Sequence, residues 1–124
     1  MILLFILKHI TNKLYIEMKN SPDELFRTLA DPTRRALFER LCREGECTVG
    51  SLTASAQISQ PAVSKHLGVL KRAGLVRDRQ QGRQMHYSAQ LDALSPLVDW
   101  TRQMAGFWHS RFDQLENLLK RMDQ

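Results

Sequence analysis

SQPAVSKHLGVLKRAGLVRDRQQGRQMHY, residues 59–87, is the stretch on which the fold turns. Ser59 is a good helix N-cap and Pro61 suits the first turn after it. Val63, Leu67 and Leu70 recur at i, i+4 and i+7, so one face of this helix is buried. Gly74 stops the helix. From Leu75 the pattern shortens to that of strands. Leu75–Arg79 and Arg83–Tyr87 read as two short strands joined by Gln80-Gln81-Gly82, with Gly82 able to take the positive φ a hairpin needs.

The face of the helix opposite its apolar stripe carries the chemistry. Pro61, Lys65, Gly68 and Arg72 point away from Val63, Leu67 and Leu70, with Gln60 and Ser64 on one flank and His66 on the other. A Gln near a helix start can read adenine through its two-pronged amide, and Lys65 can meet a phosphate or a guanine. Ser59 and Ser64 can bond phosphates or base edges, and the helix N-terminus itself favours anions. On an isolated helix such residues would be an ordinary solvated face. Here a short basic hairpin with Arg77, Arg79 and Arg83 follows at once, and such an arm can track backbone phosphates beside a groove.

Working upstream, Thr48 caps a short helix with Val49 and Leu52 facing inward, and a brief connection through Gln57 and Ile58 leads to Ser59. Before it, Asp31-Pro32 starts a helix whose apolar stripe is Ala36, Leu37, Phe38 and Leu41, ending near Gly45. Earlier still, Ser21-Pro22-Asp23-Glu24 starts another, with Glu24 completing a capping box and Leu25, Phe26 and Leu29 following. Downstream, Leu91 to about Met122 reads as a long helical region whose main helix starts or resets at Ser95-Pro96. Its broad stripe includes Trp100, Met104, Phe107, Trp108, Phe112, Leu115 and Leu119. On a monomer that stripe would leave a large apolar patch, so a second copy is expected to cover it. The fold class is therefore mainly α with a small β-hairpin wing: a winged helix-turn-helix with a recognition helix at about 59–73, a wing at 75–88 and a C-terminal dimerisation helix at about 92–122.

Charge placement agrees. The 124 residues carry a formal +5, and residues 55–88 alone hold +5, with Lys65, Lys71, Arg72, Arg77, Arg79 and Arg83 against the single acid Asp78. Residues 21–54 and 89–124 each come to −1. A nearly neutral protein with one basic block points to a polyanionic partner. No Gly-rich phosphate loop, nucleophile elbow or paired-carboxylate arrangement is present, which argues against an enzyme. A winged-helix module that has lost DNA binding would carry acidic or apolar replacements where Lys65, Arg72, Arg77, Arg79 and Arg83 stand.

Residues 1–20 differ from the rest: they hold three Lys and no Arg, against three Lys and twelve Arg afterwards, and four of the five Ile. Two expectations follow: an N-terminal extension with Met18 as the natural start, or an added amphipathic helix that packs on the dimer. The domain proper is 21–124. Met1–Leu7 is too short an apolar run to span a bilayer and lacks signal-peptide features. Two cysteines are too few for a disulfide scaffold, and a reducing cytoplasm is the simplest setting. Cys42 is expected to be a small buried hydrophobe and Cys47 a thiol activated near a helix N-terminus, with the two as a possible redox switch.

The sequence resembles the ArsR/SmtB family of winged helix-turn-helix repressors. The resemblance is carried by Leu29-Ala30-Asp31-Pro32-Thr33-Arg34-Arg35 with Leu37, by Ser59 to Leu67, by Leu70 to Val76, and by Gly82-Arg83 with His86-Tyr87, over about residues 21–91. It implies a homodimer joined by the first and last helices of that domain, an imperfect palindrome near the protein's own promoter, and repression. It implies recognition-helix contacts at Ser59, Gln60, Ser64, Lys65 and His66 and wing contacts at Arg77, Arg79 and Arg83.

The string Glu46-Cys47-Thr48-Val49-Gly50-Ser51-Leu52 places Thr48 and Gly50 where metal-sensing members carry ligand cysteines. In the last helix His109 and Asp113 share a face, but Thr101 stands where a second His would follow Asp99. No metal or other cofactor is expected, and His86 is expected to pack beside the wing.

Overall fold

Eight side chains from five successive segments meet at the centre of the computed structural model: Leu25, Leu37, Leu41, Leu52, Val63, Leu67, Leu70 and Leu75 are all essentially buried. The structure describes the backbone of residues 1–19 and 21–124 and the side chains of residues 1–11 and 21–124. Met18, the alternative start, has its side chain outside that description. The elements run α1 (Ile2–Lys19), α2 (Pro22–Ala30), α3 (Pro32–Glu44), β1 (Cys47–Thr48), α4 (Val49–Ala56), α5 (Gln60–Arg72), β2 (Val76–Gln81), β3 (Gln84–Ala89), a 3-10 turn (Leu91–Leu94) and α6 (Ser95–Met122). This is the expected winged helix-turn-helix with a long C-terminal helix.

Caps fix where the helices begin. The Ser21, Thr48 and Ser59 hydroxyls and the Asp31 carboxylate each accept from the amide three residues on, at 3.3, 3.1, 3.3 and 2.9 Å. Each such cap is worth about 1 kcal/mol. Among the described residues Glu24 returns no bond to Ser21, so only half of the expected capping box forms. With Asp23, the Glu24 carboxylate sits in the first turn of α2, where the helix dipole favours negative charge.

The Asp-Pro-Thr-Arg-Arg run also closes α2. Arg34 donates from Nε to the Thr28 carbonyl at 2.7 Å and from Nη2 to that of Arg27 at 3.3 Å, and Arg35 donates to the Leu29 carbonyl at 2.9 Å. The last carbonyls of α2, which have no partner within their own helix, are thus satisfied by the helix that follows. Arg40 ties α3 to α4, donating to the Ser51 carbonyl and hydroxyl, both at 3.0 Å.

The sheet is antiparallel in the order β1-β3-β2. The hairpin is longer and its turn tighter than the sequence pattern implied. Val76 pairs with Ala89 through to Gln81 with Gln84, leaving only Gly82 and Arg83 in the turn. Gly82 has φ +62°, while Arg83 is not in the left-handed region, the pattern of a hairpin whose first turn residue is Gly. The wing root is pinned at Leu75, whose amide donates to Leu70 at 3.0 Å and whose carbonyl accepts from Gln90 at 2.8 Å. The third strand, Cys47–Thr48, was not legible: two residues carry no period.

Three further expectations are corrected. Ala36 is exposed, because the inward face of α3 is filled by Leu37, Phe38 and Leu41. Cys42 is exposed and Cys47 buried, the reverse of their expected roles. Cys47 is buried because β1 pairs it with Tyr87 against the core rather than presenting it at a helix end. Burial pushes its thiol pKa up, opposite to the expected activation, and the Cys42 thiol is raised too, by desolvation and then by Glu39.

At its two ends the molecule shows apolar surface. Met1 to Leu7 and Ile10 of the N-terminal segment are exposed. No side chain of α6 is buried, and Trp100, Phe107, Trp108, Phe112, Leu115, Leu118, Leu119 and Met122 are exposed. At 28 residues, α6 is about 42 Å long. It meets the body through Leu97, which packs on the core, and through Trp100, whose ring stands edge-on to Phe26 at 5.0 Å. No helix among the described residues is long and apolar enough to cross a membrane.

Candidate nucleic-acid interface

The helix-turn-helix is α4, a three-residue turn and α5. Gln57 closes α4 in the left-handed region at φ 58°, the only non-glycine residue of the described chain to do so. That conformation swings the backbone so that Ser59 can cap α5. A left-handed Gln is uncommon, which is why the sequence pattern showed a connection here without showing its shape.

Helix α5 divides as its periodicity required. Val63, Leu67 and Leu70 have no exposed surface, while Ser59, Gln60, Pro61, Ser64, Lys65 and Arg72 are exposed. The Ser59 oxygen is occupied by its cap bond to Ala62, leaving its O–H as a donor. At Gly68 an added Cβ would lie 3.8 Å from Arg72 Nη1, so Arg72 folds back along the outer face of the helix. His66 departs from the group. It is half-buried, and its Nδ1 is buried with no hydrogen-bond partner among the described residues. It lies close enough to the α3 N-cap for its charge to help lower the Asp31 carboxyl pKa, whose larger cause is the bond from the Arg34 amide.

Beside the start of α5 lies a polar crevice of about 270 Å³ lined by Thr48, Val49, Gly50, Gln60, Arg83, Gln84 and Met85. It joins the first residues of the recognition helix to the tip of the wing. Thr48 and Gly50 form part of its wall, and the Thr48 hydroxyl serves as a helix cap. Among the described residues no three His, Cys, Asp or Glu side chains converge on a point that could hold a metal ion.

The wing's cations are not equivalent. Arg77 and Arg83 are exposed and make no ion pair among the described residues. Arg79 is exposed but engaged: Nε lies 3.0 and 2.9 Å from the two Glu46 oxygens, and Nη2 lies 2.5 Å from one of them. That pairing holds the Glu46 carboxyl below its usual pKa. Lys71, at the end of α5, pairs with Asp78 on β2 at 2.9 Å, which raises the lysine's pKa. His86 sits on β3 within the wing, half-buried, with Nδ1 3.4 Å from Glu46. Glu46 was missed as an interface residue because only the β1–β3 pairing, invisible in the sequence, brings it to the wing.

Residues 29–79 match a family model described as a helix-turn-helix domain. The HTH-type transcriptional regulator Rv2034 of Mycobacterium tuberculosis is 45% identical over 92 residues, covering 70% of this chain and 85% of that protein. A crystal structure of an ArsR family transcriptional regulator, RHA00566, superposes with a TM-score of 0.64 at 32% identity, covering 71% of this chain and 90% of the other. The chain belongs to the ArsR family. The transcriptional repressor SdpR of Bacillus subtilis is also similar, 32% identical over 78 residues, 63% of this chain and 86% of that one. Members of the ArsR family are DNA-binding transcription regulators, not enzymes, and the exposed cations described above belong to the helix-turn-helix and wing of such a regulator.

Proposed function

We propose that this ArsR-family regulator is a homodimeric repressor that acts in the cytoplasm on an imperfect palindrome near its own promoter, without a metal or other cofactor. The observation that carries the reading is α5: fully buried on its apolar side, capped at its start, and bare on the side that presents Gln60, Ser64, Lys65 and Arg72. That face enters the major groove with Ser59 and Gln60 leading, and the wing lies on the flanking backbone. Repression is favoured by the similarity to SdpR, itself named a transcriptional repressor. The dimer is favoured by α6, whose exposed Trp100, Phe107, Trp108, Phe112, Leu115 and Leu119, with half-buried Met104, continue across Phe26 of α2. Two-fold symmetry then sets the two recognition helices about 34 Å apart, one turn of DNA.

The test is light scattering after size exclusion, on the protein alone and with a duplex from upstream of its gene. Twice the monomer mass alone, and two protomers per duplex in the complex, are expected. A monomer in both, or a dimer that leaves the duplex unbound, contradicts the proposal.

A further inference from the structure

The wing sheet carries a row of polar side chains that crosses all three of its strands. Register places Thr48 of β1 opposite His86 of β3, and His86 opposite Arg79 of β2. Glu46, just before β1, reaches across this row. Its carboxylate takes Nε and Nη2 of Arg79 and lies 3.4 Å from His86 Nδ1, while the Gln81 side chain accepts from Arg79 Nη1 at 2.9 Å. All three guanidinium nitrogens of Arg79 therefore have a partner inside the protein. A carboxylate meets the guanidinium fork in the same two-pronged geometry as a phosphate does, so the two compete for the Nε/Nη2 edge that Glu46 occupies.

We propose that Glu46 is a positioning residue for DNA binding: it holds Arg79 as a strut across the wing sheet and off the DNA backbone, leaving Arg77 and Arg83 as the wing's phosphate ligands. This rests on the DNA-binding reading above. Arg79 and Glu46 are both partly exposed, so their pairing adds little to fold stability. Its effect is on which cations the wing offers. Releasing Arg79 adds one phosphate contact per protomer.

The experiment is a four-protein cycle: wild type, Glu46→Gln, Arg79→Gln and the double variant. Binding to a duplex from upstream of the gene and to a scrambled duplex is measured across a salt series, with a thermal melt of each protein as a folding control. Glu46→Gln is expected to bind both duplexes more tightly than wild type, since a backbone contact carries no sequence preference. Its affinity should also fall roughly tenfold further than wild type between about 50 and 200 mM salt, the mark of about two more phosphates neutralised per dimer. The double variant, with the pair's net charge unchanged, should match wild type within about threefold and share its salt slope. A double variant at least about tenfold weaker than wild type would show that Arg79 is itself a phosphate ligand, and would overturn the proposal. So would a Glu46→Gln protein no tighter than wild type. A wild-type protein that binds neither duplex at low salt would overturn the DNA-binding reading and this inference together.

Discussion

Helices α5 and α6 carry the same kind of pattern and meet opposite fates. Both have apolar residues stepping by three and four. In α5 that stripe disappears completely: Val63, Leu67 and Leu70 have no exposed surface. In α6 a broader and more aromatic stripe leaves no buried side chain. Periodicity states that a face is apolar and leaves open what covers it. For α5 the cover is the chain's own α3, α4 and wing root. For α6 the proposed cover is a second copy of the chain.

The sharpest way to break this contrast is a matched pair of truncations. Leu67→Ala opens a cavity in a site closed on all sides and should cost about 2–5 kcal/mol of stability, read by denaturant unfolding. Phe112→Ala removes a larger side chain that is 60% exposed. It should leave the fold intact and shift the dimer toward monomer on dilution, read by sedimentation. If the two variants unfold alike and Phe112→Ala stays dimeric, the contrast fails.

A second pair separates the two ways α5 and the wing use charge. Arg83→Ala should weaken binding about equally on all duplexes and lower the salt slope by about one per protomer. Lys65→Ala should weaken binding too, and where it also flattens preference between native and scrambled duplexes the lysine is a base contact, worth about 1–3 kcal/mol of discrimination. An Arg83→Ala effect confined to one sequence would contradict the wing's role.

Smaller effects sharpen the core-against-surface comparison. Exposed Cys42 should react with a thiol reagent well before buried Cys47 in the folded protein, read by mass after brief labelling. Both thiols are raised in pKa, so both should label slowly near neutral pH. Equal, fast labelling would contradict the burial of Cys47.

Smallest is the acid limb of stability. The Asp31, Glu44 and Glu46 carboxyls are lowered, by the Arg34 amide, by Arg40 and by Arg79 respectively. A carboxyl whose folded pKa lies below its unfolded one stabilises fully above the unfolded value of about 4 and loses that stabilisation as pH falls through the folded value. Melting temperature should therefore decline below about pH 4, and Glu46→Gln should decline slightly less steeply. A midpoint rising with acid would be the wrong sign.

Most of the fold was legible because its signals are local. Ser21, Asp31, Thr48 and Ser59 mark helix starts by hydrogen bonds spanning three residues, and Val63, Leu67 and Leu70 mark a face by spacing alone. Apart from the left-handed turn at Gln57, what could not be read depends on contacts distant in the chain. The two-residue β1 has no pattern of its own and exists because β3 lies beside it. With β1 hidden, neither the burial of Cys47 nor the reach of Glu46 to Arg79, 33 residues on, could be seen. The residues proposed to face DNA were chosen on charge and polarity alone, and their division into exposed Arg77 and Arg83, engaged Arg79 and half-buried His66 required the packing.

The central claim is that α5 reads sequence while the cations around it supply affinity. Its most direct test is binding of the purified protein to labelled DNA from upstream of its own gene and to a scrambled duplex across a salt series. A preference for the native duplex is expected to persist at about 150 mM salt, as affinity for both falls steeply with salt. Equal affinity for the two at every salt concentration would contradict it.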